Sequence, residues 1–276
     1  MRLSVIVTTY NQPEWLKKVL WGYEAQDLRD FEVVIADDGS DHRTAAVVER
    51  ARAEMTVPIL HVWHEDRGFR KCEILNSSIL AASGDILLFT DGDCVPRRDL
   101  LTVHHTLMRP GRFLSGGYIK VPQGTSDAID QDAIRSGNAT HFRWLRRHGA
   151  PLSRPLLRLT TGPAAPLLDA VTPTRASFNG HNSSVWREDA VRVNGFDERM
   201  GWGGLDREFG ERLENAGVRG LQIRHRAHVV HLHHARGYRK PEIIRANRAL
   251  SDETARTRRI RTPVGLDRHG PPDMAP

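Results

Sequence analysis

Three polar clusters in this sequence carry residue types able to do chemistry, and each directly follows an apolar run. Thr8-Thr9-Tyr10-Asn11 follows LSVIV, Asp37-Asp38-Gly39-Ser40 follows FEVVIA, and Thr90-Asp91-Gly92-Asp93 follows DILLF. The Asp-Gly-Asp pair is the most pointed of the three. Two carboxylates flanking one small residue at a strand end can reach the same divalent cation, which prefers oxygen ligands. Such an ion could bridge diphosphate oxygens and neutralise charge developing on a leaving group. Tyr10 offers an aromatic ring, and Asp37 and Asp38 offer carboxylates for a base and a ribose. Taken singly, each cluster has an ordinary structural explanation. Asp-Gly-Ser after a strand is a common turn leading into a helix cap, Asp-X-Asp is a frequent tripeptide, and aromatics often end buried strands. Their recurrence at successive strand ends carries the functional reading.

The elements that must position these clusters follow from the hydrophobic pattern. Leu3–Thr9, Phe31–Ala36, Ile59–Trp63 and Asp85–Thr90 read as strands, rich in Val, Ile, Leu and Phe. Pro13–Ala25, Asp41–Glu54 and Arg70–Ala82 between them read as helices. Pro13 suits a first helical turn, where its missing N–H would have no partner, and Ser40 is placed to cap the helix beginning at Asp41. Strand–helix alternation predicts an α/β fold with a mostly parallel sheet flanked by helices. Ligands in such sheets bind beyond the carboxyl ends of the strands. Further helices are expected near Arg187–Val193, Leu205–Ala216 and Pro241–Arg259, with strands near Val218–Ile223 and Ala227–Leu232.

The chain has 276 residues, enough for one large domain or two small ones. Its 40 Lys and Arg against 34 Asp and Glu give a net charge of +6, compatible with nucleotide phosphates, nucleic acid or an acidic membrane surface. Nucleic-acid binding rests on that charge alone, because no aromatic RNA-binding signature, zinc-ligand set or helix-turn-helix pattern accompanies it. No apolar run approaches the roughly 20 residues of a membrane-spanning helix, and the opening apolar run reads as a strand rather than a signal peptide. Cys72 and Cys94 alone argue against a disulfide framework and for a reducing, cytoplasmic compartment. The Asn-X-Ser/Thr triplets at Asn76, Asn138 and Asn182 then carry no meaning. The middle of the chain differs. From Ala133 to Leu168 there is no acid but there are six arginines, Arg135, Arg143, Arg146, Arg147, Arg154 and Arg158. This stretch reads as one or two helices in a mobile excursion over the sheet edge. Its arginines are either a solvated face or a contact for an anionic acceptor or a membrane surface. The tail 262–276, with three prolines in its final six residues, is expected to be disordered.

The runs SVIVTTYNQPEWL, FEVVIADDGS and GDILLFTDGDCVP, with Asn76 in the helix before the last, together resemble glycosyltransferase family 2 and its GT-A fold. GFDERMGWGGLDREFGERLENAG resembles the acceptor-side segment of β-1,4-galactosyltransferases and bacterial chondroitin-polymerase-type enzymes. The resemblance covers about 3–121 and 178–234. It implies a single domain over 1–261: a donor half to about 121, an excursion over 122–173, an acceptor and metal half over 174–240, and a last helix over 241–261. It further implies a hexosyl transferase that uses a nucleotide diphosphate sugar, with UDP favoured through Tyr10 and Asp38. Tyr10 would stack on uracil and Asp38 would accept from its ring N–H. Thr8 and Asp37 would lie close to the nucleotide, Asp91 near ribose and metal, and Asn76 and Arg67 on the donor side. Asp93 would ligate Mn²⁺ or Mg²⁺ together with a late histidine. His231 is the best match for that ligand, with His233 and His234 as rivals.

Trp202-Gly203-Gly204-Leu205-Asp206 is the second feature that the resemblance illuminates. Related inverting enzymes carry Trp-Gly-Gly-Glu-Asp there, and their final Asp takes the acceptor hydroxyl's proton, so Asp206 is the implied base. Trp202 and the glycines leave room for a sugar, Glu208 is a fallback acid, and Leu205 replaces a carboxylate that relatives use on the acceptor. An acid at a helix N-terminus also has a structural reading, stabilisation by the helix dipole. The donor sugar stays open, as does an acceptor that is a glycan, a lipid-linked sugar, a small molecule or a peptide. A non-catalytic sugar-nucleotide or glycan-binding protein on the same fold is the alternative.

Overall fold

The computed structural model describes residues 1–159, 162–234 and 240–270, leaving the side chains of Arg154, Leu156 and Leu157 and the tail beyond 270 outside the description. The expected alternation opens the chain: β1 (Leu3–Thr9), α1 (Pro13–Glu24), β2 (Phe31–Asp37), α2 (His42–Glu54), β3 (Ile59–Trp63), α3 (Lys71–Ala81) and β4 (Ile86–Asp91). Every residue of β1 and β2 is buried, as continuous apolar runs require when helices cover both faces of a sheet. Val5 and Val7 face one core with Leu16, Val19 and Tyr23 of α1, while Ile6 faces the other with Ile74 and Ile79 of α3. This is the two-residue alternation of a strand buried on both sides.

Next come β5 (Cys94–Pro96), α4 (Leu100–Leu107), β6 (Arg112–Ser115) and β7 (Gly117–Lys120). Among the described residues the excursion holds four short α-helices, not one or two: α5 (Gln123–Ala128), α6 (Gln131–Arg135), α7 (Phe142–Arg147) and α8 (Ala164–Val171). Ile134, Leu145, Ala150 and Leu159 anchor it in the α1-side core. The chain then forms β8 (Ser183–Trp186), α9 (Arg187–Arg192), α10 (Leu205–Asn215), β9 (Arg219–Gln222), β10 (His228–His231) and α11 (Pro241–Thr257).

The main sheet has the order β3-β2-β1-β4-β8-β6-β9. Its strands are parallel except β8, which runs against both β4 and β6. A second sheet of three short strands has the order β5-β10-β7. The two sheets do the positioning. Parallel register brings Thr8 beside Asp91 and Thr9 beside Asp37 at one rim. In the small sheet, His231 pairs with Cys94 on one side and with Lys120 on the other. Among the described residues no helix is long and apolar enough to cross a membrane.

Two local expectations are corrected. Asp41, not Ser40, caps α2, its carboxylate accepting from the Arg43 N–H. The Ser40 hydroxyl instead accepts the Asn11 N–H at 2.9 Å, tying the first two strand ends together. The tail is ordered well past Thr262. Thr262 and Leu266 are buried, and the Asn194 amide donates to the Thr262 carbonyl at 2.9 Å. A chain of backbone and side-chain bonds to Asn194 outweighs the low hydrophobicity of this stretch; residues 271–276 lie outside the described residues.

Candidate active site

A cavity of about 680 Å³ opens over the carboxyl ends of β1 and β4. Thr8, Tyr10, Asp38, Asp91 and Asp93 line it from the strand ends, joined by Lys71 of α3 and by Trp202. Tyr10 is half exposed at the mouth, its hydroxyl donating to Asp66 at 3.0 Å. Asp38 is nearly buried and accepts from His64 Nε2 at 2.8 Å and from the Arg70 N–H at 3.2 Å. Gly39 permits the turn that aims it. The residue has φ +89°, and a Cβ there would sit 2.6 Å from the Asp66 backbone.

Lys71 is the central cation. Its Nζ lies 2.6 Å from Asp91 Oδ1, which also accepts from the Thr8 hydroxyl at 2.8 Å. Burial alone would raise the Asp91 pKa, but the charge and hydrogen bond of Lys71 outweigh it and hold the carboxyl below its ordinary value. Asp93 behaves oppositely. Burial raises its pKa and the Asp91 charge adds to the effect, against the pull of His231 and His234.

His234 Nε2 stands 3.1 Å from Asp93 Oδ2, and His231 Nε2 stands 4.0 Å from the same oxygen. The two rings are stacked at 5.3 Å. His231 Nδ1 meets the Leu232 carbonyl at 2.8 Å, which places the proton on Nδ1 and turns the Nε2 lone pair toward Asp93. His233 does not converge, since its Nδ1 faces Gln123 at 2.9 Å. Asp93, Cys94 and His231 present potential ligand atoms within 4.8 Å of one another. The Cys94 thiol is pushed well up by burial and donates to Asp93 at 3.3 Å, so it orients the carboxylate. One carboxylate and two imidazoles form a donor set suited to a borderline divalent ion.

Asp206 lies in the first turn of α10, after Gly203 and Gly204, whose φ values of +102° and +91° bring the chain in through a left-handed bend. It does not touch the cavity itself but lies within electrostatic reach of Lys71 and Asp91. Its Oδ1 is buried without a hydrogen-bond partner among the described residues. Burial raises its pKa, more than Lys71 and the Gly180 N–H lower it. Gly180 is packed against this carboxylate: a Cβ there would come within 2.6 Å of Oδ1.

The fallback acid Glu208 is structural. It is fully buried in an ion pair with Arg212, Nε to Oε1 at 2.9 Å, and accepts from the Thr254 hydroxyl. Glu208→Ala leaves a buried guanidinium unpaired and is expected to cost about 3–5 kcal/mol. Denaturant unfolding of the variant measures that loss.

Three other anticipated residues are not brought to the cavity. The Asp37 carboxylate is buried, bonded to the Ser40 N–H at 2.8 Å and to His61 at 3.0 Å, and holds the turn that carries Asp38. Asn76 is fully buried, its amide clamping Phe196 N and O at 2.7 and 2.9 Å, and it joins α3 to the segment before α10. Arg67 is exposed and pairs with Glu65. Asn182 is likewise buried in a network with His104 and the Gly117 carbonyl. Its neighbour His181 does line the cavity, and burial lowers its pKa to about 4, so it is neutral at pH 7. Sequence reasoning missed Lys71, Tyr118 and Lys120 in the cavity wall. None has a motif of its own; pairing β7 beside β10 is what brings the last two there.

Comparison with known proteins agrees with this architecture. Residues 4–155, more than half of the chain, match the model of glycosyl transferase family 2, and residues 172–235 match an N-terminal domain of galactosyltransferase. The chain is 26% identical to the uncharacterized glycosyltransferase YfnE of Bacillus subtilis, over 99% of this chain and 76% of that protein. It is 30% identical to validoxylamine A glucosyltransferase of Streptomyces hygroscopicus, covering 78% of this chain but only 52% of that one. It is 26% identical to chondroitin synthase of Pasteurella multocida, of which it spans 23%. Among solved structures, Staphylococcus aureus TarS in complex with UDP-GlcNAc superposes with a TM-score of 0.61 at 17% identity, covering 97% of this chain and 69% of that one. The mannosyltransferase PcManGT of Pyrobaculum calidifontis, in complex with GDP-Man and Mn²⁺, gives 0.58 at 23% identity, covering 90% and 61%. A mostly parallel sheet with Asp-Gly-Asp at the end of β4, a second sheet whose β10 carries His231 to it, and these matched spans together make the chain a glycosyltransferase of family 2 with the GT-A fold.

Proposed function

We propose that this enzyme transfers a sugar from a nucleoside diphosphate, UDP in the first instance, to an acceptor hydroxyl with inversion, and that Asp206 is the base. One observation supports it above the rest. A buried Asp206 carboxylate oxygen without a partner among the described residues lies within electrostatic reach of Lys71 and Asp91, which line the cavity. Leaving a polar atom unsatisfied is costly, and native proteins keep such atoms mainly where they serve a purpose. Tyr10, exposed at the mouth, is free to stack on a base. Asp38 has three hydrogen bonds from His64 and Arg70, so a lone pair on Oδ2 is left for a ring N–H. Asp93, His231 and His234 would hold a divalent ion, Mn²⁺ or Mg²⁺, that when bound neutralises charge on the departing diphosphate. Asp206 accepts the acceptor's hydroxyl proton as its oxygen bonds to the anomeric carbon and the bond to the diphosphate breaks on the opposite face. Lys71 holds Asp91 below its ordinary pKa and partly offsets the effect of burial on Asp206.

A thermal-shift screen of UDP-sugars with and without Mn²⁺ tests this. A donor at one hundred times its Kd stabilises the native state by about 2.7 kcal/mol, and the shift is expected only with metal present. Anomeric analysis of the product by NMR checks inversion. No metal-dependent shift with any nucleotide sugar would remove the donor reading, and binding without turnover on any acceptor would leave a sugar-nucleotide-binding protein.

A further inference from the structure

Beyond the acids, one rim of the cavity gathers cations. Tyr118 of β7 lines the cavity, and its ring carries both Lys120 Nζ and the Arg158 guanidinium at 5.6 Å from the centroid. Arg224 joins them. Both arginines pack on Gly117, where a Cβ would come within 3.1 Å of Arg158 Cδ and 2.6 Å of the Arg224 carbonyl. Neither guanidinium meets a carboxylate among the described residues. Arg158 donates to the Tyr118 carbonyl at 2.5 Å and Arg224 to the Thr174 hydroxyl at 3.2 Å. Arg224 Nε is buried without any partner among the described residues. Asp169, whose charge partly favours charged Arg224, also accepts from the His225 N–H at 2.8 Å and from Arg226 at 2.7 Å. Burial disfavours the charged form of both arginines, and the charge of Arg158 adds to the effect on Arg224.

Half-buried like charges on one glycine are unfavourable unless an anion completes them. Guanidinium groups take phosphate or carboxylate in paired hydrogen bonds. We propose that Lys120, Arg158 and Arg224 form an anion site at the Tyr118 rim, and that it receives a phosphate or carboxylate carried by the acceptor. The word acceptor rests on the transferase reading; the anion site does not. Lys120 sits in register with His231, which places one end of this group beside the proposed metal ligands.

Titration calorimetry separates the two sources of such an anion. Saturating UDP and Mn²⁺ first fill the donor site, and inorganic phosphate or glucuronate is then titrated in. The proteins are wild type, Arg158→Gln/Arg224→Gln and Arg158→Lys/Arg224→Lys, with folding checked by circular dichroism. Wild type is expected to bind one of these anions with salt-sensitive affinity. The Gln pair should lose about 10-fold or more and the Lys pair should recover most of it, with UDP affinity within about 2-fold throughout. Wild-type anion binding that vanishes once UDP is bound, or a UDP affinity that falls with the Gln pair, would assign these cations to the donor and overturn the proposal. So would unchanged anion binding in the Gln pair. If UDP with Mn²⁺ fails to bind wild type, the donor reading falls, while the anion titration still decides whether the arginines form a site.

Discussion

Asp206→Asn is expected to lower kcat by about 100- to 10,000-fold, the range over which a positioned base contributes, with little change in donor KM. The same variant should unfold at a higher temperature than wild type. The two expectations share a cause. Burial disfavours the ionised Asp206 carboxylate, and its Oδ1 has no partner among the described residues to compensate. Asparagine keeps the shape and removes the charge. A gain of about 1 kcal/mol corresponds to roughly 2–4 °C for a chain of this size. The pH behaviour follows from the sign of the shift. A base must be deprotonated, so kcat/KM should decline with falling pH through a value above the ordinary aspartate range. Stability should move the other way. A carboxyl whose folded pKa exceeds its unfolded pKa binds a proton more tightly in the native state, so its contribution improves as pH falls through the folded value. Both dependences should flatten in the Asn variant. A variant that loses activity and stability together would make Asp206 a structural acid at a helix N-terminus.

The sequence disclosed the donor half of this fold almost residue by residue, because β1 to β4 are continuous apolar runs bounded by turn chemistry. It was silent where position depends on pairing across the chain. Strands of three or four residues such as Cys94–Pro96 and Gly117–Lys120 carry too little periodicity to read. Yet they set Lys120 and Cys94 on either side of His231. Lys71 looks like any lysine opening a helix until Asp91 is seen 2.6 Å away. Resemblance pointed to Asp37 and Asn76, and both turned out to hold the scaffold. A buried Asn or Asp at a strand end satisfies backbone groups as readily as it meets a ligand, and only the partners distinguish the two. Conversely, the three late histidines were indistinguishable in sequence. Two converge on Asp93 because the end of β10 and the residues just after it stack His231 against His234, with His233 turned toward α5.

That arrangement makes the metal prediction a graded one. Asp93→Asn should abolish the Mn²⁺-dependent part of the thermal shift by UDP and lower kcat/KM by about 100-fold or more, since charge neutralisation by an ion is worth several kcal/mol. Without metal or nucleotide, the variant should be at least as stable as wild type. Its carboxylate is disfavoured by burial and by the Asp91 charge, both of which the amide escapes. His231→Ala and His234→Ala should each weaken the Mn²⁺ response, and His233→Ala, whose ring bonds to Gln123, should leave it unchanged. The contrast separates a ligand set from a generally acidic rim. If Asp93 merely shaped the electrostatics of the cavity, removing its charge would alter nucleotide affinity equally with and without Mn²⁺, and all three histidine variants would respond alike. A response confined to metal, and to the two imidazoles that face Asp93, requires those three side chains to hold one ion.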